Sequence, residues 1–366
     1  MTSGEPDLTS GEPDLRHTRT ADGVTIAYQV LGGGPTVIWL PSLGDVRAQW
    51  RVPVLRDAYR GLASSFRLVL FDGRGMGSSD RRIDENDLGL SAHLRDLSAV
   101  VDAVAVGPVS LFGWYHSVTT AVAYAAEHGE RVARLVLFGG APRLRDAMSP
   151  VQTQALLSLV DQDWELFAES AAHIWLGWDS AESGRMLAEA FRSAATPAIA
   201  KAWFAAAAGI DVTQDAGRVR APTLVLHRQG ARQIPVEVSR RFADALPGGR
   251  LLELPGSSPT LFMDDPAGDL AVLSAFLRDG RILPPPTGPA PEPPAESATE
   301  RLPGGLTPRQ AQVLRLVATG ESNAGIARRL GIAEHTVERH LADVYRKIGA
   351  RGRADATAFA LRNGLA

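Results

Sequence analysis

Between residues 36 and 254 the chain alternates short apolar runs with longer stretches of helical periodicity. Thr36–Leu40, Phe66–Phe71, Val109–Phe112, Leu135–Phe138, Thr223–His227 and Arg250–Leu254 are each bounded by turn-forming residues, which predicts strands. Ser91–Val104, Thr119–Glu127 and Val236–Ala245 repeat their apolar positions at helical spacing and predict helices between them. Strands alternating with helices predict an α/β domain, a mostly parallel sheet covered by helices on both faces. The rhythm breaks once. Residues 144–215 hold no clear strand-like run but carry Trp164, Trp175, Trp178, Trp203, Phe167, Phe191 and Phe204. This segment reads as a helical cap inserted between two strands, its aromatics divided between a core and an apolar pocket wall.

Two stretches fall outside this pattern. The heptapeptide TSGEPDL occurs twice, at residues 2–8 and 9–15, and reads as a disordered acidic tail over 1–15. Residues 284–303 hold eight prolines and read as an extended linker. The predicted body is therefore 16–283. Beyond the linker, residues 304–366 return to helical periodicity. Thr307 caps a helix with Pro308 at its first position and Gln310 three residues after the cap. That helix stops at Gly320. Ser322 caps a second helix that ends near Gly331, a third starts about Ala333–Glu334, and a fourth spans about Ala354–Asn363. In the third, Val337, Leu341, Val344 and Ile348 share one face, and Glu334, His335, Glu338, Arg339, Ala342, Asp343 and Arg346 point outward.

Charge separates the two halves. The net charge is −3, but residues 304–366 carry +5 and residues 1–303 carry −8. An acidic body with a basic tail points to a nucleic-acid module at the C-terminal end. The chain has no cysteine, so disulfides, thiol catalysis and Cys-ligated zinc are excluded. No H-E-x-x-H or H-x-x-x-H spacing offers metal ligands, and no cofactor is implied. No run of 18 apolar residues predicts a membrane span, and the first fifteen residues lack the regions of a signal peptide. The expectation is a cytoplasmic protein without membrane attachment.

Asp72-Gly73-Arg74-Gly75-Met76-Gly77-Ser78-Ser79 after an early strand, Gly113-Trp114-Tyr115-His116-Ser117 at a strand-to-helix junction, and the turn Leu254-Pro255-Gly256 together resemble the α/β-hydrolase fold. The resemblance covers about residues 16–282. It implies a nucleophile elbow G-x-S-x-G, whose small residues permit a strained turn. Here Tyr115 stands in place of the serine and Ser117 in place of the last glycine. Ala231 falls where the acid is expected and Pro259 where the histidine is expected. A phenol, with an ordinary pKa near 10, is a poor nucleophile without a base beside it. The resemblance thus implies a hydrolase body without its triad, not an enzyme. Ser42 and Leu43 on the oxyanion side, Tyr115 and His116 at the elbow, Pro259, and Trp175, Trp178 and Phe204 of the cap are expected to line a small-molecule pocket.

Leu306-Thr307-Pro308-Arg309, Ser322-Asn323, Ile326-Ala327, Thr336-Val337-Glu338-Arg339-His340 and Lys347-Ile348-Gly349 resemble the LuxR-type helix-turn-helix. The resemblance implies that the third helix enters the major groove of double-stranded DNA and that the fourth supports a homodimer. Thr307, Ser322, Asn323, Thr336, Val337, Glu338, Arg339, His340, Asp343 and Lys347 are the expected contacts, with Arg339 as base reader and Thr336, His340 and Lys347 on phosphates. This sequence departs from the pattern at Ala333, where a capping serine is usual, at Ala324-Gly325, and at Glu338, where a basic residue is common. The combined expectation is a DNA-binding regulator that senses a small apolar or amphiphilic ligand. The alternatives are an active esterase or lactonase fused to a DNA-binding module, and an interaction protein with a collapsed pocket.

Overall fold

The computed structural model describes residues 12–143, 146, 150–176, 181–231, 234–284, 303–330, 334–363 and 365. Most of the predicted tail and linker, including residues 1–11 and 285–302, lies outside the described residues.

Eight strands form one sheet in the order β1-β2-β4-β3-β5-β6-β7-β8. They are β1 (Leu15–Arg19), β2 (Thr25–Leu31), β3 (Thr36–Trp39), β4 (Arg67–Phe71), β5 (Val109–Trp114), β6 (Val132–Phe138), β7 (Thr223–Arg228) and β8 (Gly249–Leu254). The first hairpin and its pairing with β4 are antiparallel; every other pairing is parallel. Leu15, assigned to the tail from sequence, begins β1, and the carbonyl of Pro13 accepts from the Gln29 side chain at 2.9 Å. This hydrogen bond anchors the end of the tail to the sheet.

Side chains alternate across the sheet, and both faces are buried. Val69, Phe71, Leu111, Leu135, Leu137 and Val225 enter one core with helices α3 (Leu90–Val104), α4 (Ser117–Glu127) and α10 (Val236–Ala245). Leu68, Leu70, Phe112, Val136, Phe138, Leu224 and Leu226 enter the other with α1 (Val46–Trp50), α2 (Pro53–Ala63) and α11 (Pro266–Asp279). Between β6 and β7 the chain leaves the sheet for the predicted cap, formed by α5 (Pro150–Gln162), α6 (Trp164–Leu176), α7 (Ala181–Ala194), α8 (Pro197–Ala208) and the short α9 (Thr213–Ala216). The cap core joins Leu159, Phe167, Phe191, Trp203 and Phe204 to Leu43 and Met76 of the body.

The C-terminal module comprises α12 (Pro308–Ala318), α13 (Asn323–Leu330), α14 (Glu334–Ile348) and α15 (Arg353–Arg362). Its core holds Leu306, Val313, Leu314, Ile326, Val337, Leu341 and Val344. Helix α15 divides its alanines. Ala356 and Ala360 join the module core, whereas Ala358 joins the cap core with Ala354 packed beside it.

Candidate functional site

The elbow is built from glycines and one left-handed residue. A Cβ on Gly113 would stand 3.0 Å from the Ala121 side chain and 3.1 Å from the Ser117 carbonyl, so β5 can pass this close to α4 only without one. Tyr115 then takes φ of 49°, a backbone region that costs a non-glycine residue about 1–2 kcal/mol. Ser117, at the start of α4, accepts from the Trp114 amide at 3.0 Å and helps hold the turn. The strained geometry of an exposed-nucleophile turn is therefore present, occupied by a tyrosine.

The Tyr115 ring lies against Gly139, whose missing side chain leaves room for it, and packs with Ala141, Ile234 and Val238. Its hydroxyl donates a short hydrogen bond to the carbonyl of Pro259. Burial pushes the phenol pKa well above its ordinary value, so the group stays protonated. The structure thus brings together two of the three positions where the hydrolase resemblance places a triad. The third lies on an adjoining loop. Ala231 donates to the Arg228 carbonyl at 3.0 Å, and its neighbour Gly230 donates to the Gly256 carbonyl at 2.9 Å. Arg228 fixes the loop that carries Pro259. Its fully buried guanidinium donates to the Pro255 carbonyl at 2.8 Å and pairs with Asp269. Asp269 also accepts from the Phe262 amide at 2.7 Å. His227, on the same strand, is a buried structural residue with Nδ1 2.9 Å from the Ser239 hydroxyl.

A cavity of about 40 Å³ lies beside the elbow, lined on the body side by Leu40, Ser42, Arg74, Met76, His93, Asp96 and His116 and on the cap side by Trp203, Ala207 and Ile210. Of the expected pocket residues, Ser42 and His116 are here. Leu43 and Phe204 are buried in the cap core instead, because the cap closes directly on the loop after β3. Trp178 lies outside the described residues, as does the side chain of Trp175. Sequence reasoning missed His93, Arg74 and Asp96. The available signal was the spacing of His93 and Asp96, three apart on one face of α3.

The charged groups at the cavity are ion-paired. Arg74 is buried against Asp96 at 2.8 Å and Asp22 at 2.9 Å, with Asp87 as a third partner. The His116 ring sits 4.5 Å from Trp203, and burial lowers its pKa to about 3. Burial likewise lowers His93 to about 4. Both imidazoles are neutral at pH 7. The Ser42 hydroxyl is buried and has no hydrogen-bond partner among the described residues. A volume of 40 Å³ holds a few waters or a very small organic molecule; drug-sized ligands need about 300 Å³ or more.

In the C-terminal module, many predicted DNA contacts have structural duties. The Thr307 hydroxyl accepts from the Gln310 amide at 3.2 Å while the Gln310 side chain accepts from the Thr307 amide at 3.0 Å, a reciprocal cap. Ser322 caps α13 by accepting from Gly325 at 3.1 Å, and Asn323 accepts from Arg353 at 3.3 Å. One expectation needs correction, and one residue has a second set of partners. Val337 is wholly buried, because helical periodicity places it with Leu341 and Val344, so it cannot reach a base edge. Lys347, expected on a phosphate, donates to the Gly305 carbonyl at 3.0 Å and to Gln310 at 2.8 Å, tying α14 to the start of α12. Glu338 and Arg339 are exposed, Thr336 and His340 are half-buried, and Asp343 pairs with Arg346.

No helix among the described residues is long and apolar enough to cross a membrane. Residues 35–266 match the family model described as alpha/beta hydrolase fold, and residues 305–360 match that of bacterial regulatory proteins of the luxR family. RutD of Caulobacter sp. (strain K31), named as a carbamate hydrolase, is 27% identical over 243 residues, covering 63% of this chain and 87% of RutD. The module is 44% identical over 61 residues to a protein of Mycobacterium bovis (strain ATCC BAA-935 / AF2122/97) named as an HTH-type transcriptional regulator; the match spans 17% of this chain and 7% of that protein. Among solved structures, the esterase RhEst1 from Rhodococcus sp. ECU1013 superposes with a TM-score of 0.62 at 23% identity, covering 73% of this chain and 99% of the esterase. The esterase EaEST from Exiguobacterium antarcticum gives 0.63 at 18% identity, covering 71% and 98%. The eight-stranded sheet, the elbow between β5 and α4 and the four-helix C-terminal module thus make this chain a member of the alpha/beta hydrolase fold family that ends in a luxR-family DNA-binding domain.

Proposed function

We propose that the chain is a transcription regulator whose hydrolase-fold body binds a small apolar or amphiphilic molecule without turning it over. The observation that carries this reading is the hydrogen bond from Tyr115 to the Pro259 carbonyl. A half-buried, protonated phenol, held by a backbone oxygen, is neither a nucleophile nor a base for one. The buried Ser42 hydroxyl offers the ligand a donor or an acceptor, and Trp203 offers an apolar wall. Because the cavity is small, a ligand of more than a few heavy atoms requires movement of α8 away from the body. The DNA-binding module acts as a homodimer in a bacterial cytoplasm, with Arg339 reading a base edge.

Two measurements on the purified chain test this reading. Short-chain fluorogenic esters should be hydrolysed no faster than in buffer. Selection from a random duplex library should return a two-fold-related sequence. Turnover by the wild type that disappears in Tyr115→Phe would overturn the sensor reading and restore the esterase alternative.

A further inference from the structure

We infer that the cap is a docking surface for the chain's own DNA-binding module, and that this contact restrains DNA binding. The inference rests on the reading of the module as DNA-binding, and not on whether the body is inactive. Helix α15 packs against α6 of the cap. The helix is alanine-rich, which allows another helix to approach closely. Ala354 and Ala358, four residues apart, share one face and meet the cap core, where Ala358 is fully buried. Ala356 and Ala360 lie on the opposite face, in the module's own core. One short helix therefore has apolar contacts on both sides.

Local charge adds a modest attraction. Glu169 on α6 attracts Arg351 and Arg362, and Asp163 before α6 also attracts Arg351, but Arg351 pairs first with Asp355 of its own module and burial outweighs the attraction at Arg362. The wider charges agree, since residues 304–366 carry +5 against −8 on the rest of the chain. DNA binding competes with this seating in two ways. The luxR resemblance assigns α15 to the homodimer, and while it lies on the cap it is not free to pair with a second copy; the acidic body held beside the module also repels the duplex. By linkage, whatever binds the released module better than the docked one shifts the chain toward release.

The absence of cysteine makes this directly testable in the full chain. Glu169 is exposed, and the Arg351 side chain is 83% exposed, so thiols at both positions are open to reagent. The double variant Glu169→Cys, Arg351→Cys should form an intramolecular crosslink with a short bismaleimide while remaining monomeric. Failure to crosslink, when a monofunctional maleimide labels both thiols fully, overturns the docking. The crosslinked protein should then bind a mixed-sequence 30-base-pair duplex (roughly three turns) more weakly than the same variant left uncrosslinked. The expected loss is about five- to fifty-fold, within the ordinary range of coupling between sites. Equal affinities overturn the restraint. Absence of DNA binding by either form overturns the DNA-binding reading, while the crosslink still decides the docking. Glu169→Arg, which repels Arg351 and Arg362, should tighten duplex binding several-fold; unchanged or weaker binding counts against restraint.

Discussion

The hydroxyl of Tyr115 reaches the backbone carbonyl of Pro259, joining the elbow to a loop 144 residues later. Tyr115→Phe removes that hydrogen bond and little else, and should cost about 1 kcal/mol of stability. Tyr115→Ser removes the half-buried ring as well and should cost about 2–3 kcal/mol, below the range for emptying a fully buried aromatic site. Neither should hydrolyse esters. Urea unfolding with an esterase assay on the same samples checks both, and ester turnover in Tyr115→Ser would sink the account of the site.

Ser42 makes the opposite prediction. Its hydroxyl is buried without a partner among the described residues, so it carries a desolvation cost with no compensating hydrogen bond. Ser42→Ala should leave stability unchanged or raise it by up to about 1 kcal/mol. If the hydroxyl serves a ligand, the same variant should lose part of the ligand-induced thermal shift. Destabilisation by more than 1 kcal/mol would show that the hydroxyl is bonded in solution.

The two histidines of the cavity set a pH dependence. Burial lowers His116 to about 3 and His93 to about 4, against 6.5 in an unfolded chain. As pH falls below 6.5, the unfolded state takes up protons that these folded imidazoles refuse. Stability is fully present above 6.5 and is lost as pH falls toward 4, by up to about 1.4 kcal/mol per pH unit for each histidine. Asp72 works in the other direction: burial raises its pKa to about 7, so its stabilising contribution is present at low pH and is lost as pH rises toward 7. The histidine contribution is isolated by comparing wild type with His116→Gln. The variant should show a shallower loss between pH 6.5 and pH 4.5, and equal slopes would contradict the burial of His116.

Within the module, three residues should separate structure from recognition. Val337→Ala removes about two buried methylene equivalents and should destabilise the module by about 1.5–2 kcal/mol. Lys347→Ala should lower the melting temperature and leave the salt dependence of DNA binding nearly unchanged, because its ammonium is committed to Gly305 and Gln310. Arg339→Ala should leave stability within about 0.5 kcal/mol and relax base preference at one position by about 1–3 kcal/mol. A flattened salt slope in Lys347→Ala would return that residue to the phosphate backbone.

Strands β3 to β7 were legible because they are buried on both faces and read as apolar runs, and β8, the opposite edge, because Leu251, Leu252 and Leu254 stand out beside Arg250 and Glu253. The amino-terminal hairpin was not. Strand β1, Leu-Arg-His-Thr-Arg, is a polar edge strand, and β2 carries Gln29, wholly buried but polar, in the middle of its run. Helices α2 and α11 were also missed, although each begins with a proline at its first position. The caps of the module were readable because a capping hydroxyl acts over three residues. Pocket residues were less so. Ser42 and His116 were found from local motif position, but Arg74 and Asp96 reach the cavity only through the ion pair that joins the turn after β4 to α3. The intramodule contacts of Lys347 were hidden for the same reason. Its partners lie 42 and 37 residues away, beyond any local pattern.

The small volume beneath Trp203 also bears on time. On the sensor reading, a ligand larger than 40 Å³ needs α8 to move, and the rate of occupation then has a ceiling set by the protein and not by ligand concentration. Above that ceiling, more ligand brings no faster response. On that reading the same movement also limits escape, and a bound state outlasts the signal that produced it. On the sensor reading, such a regulator averages its environment over its own opening time and does not follow brief pulses.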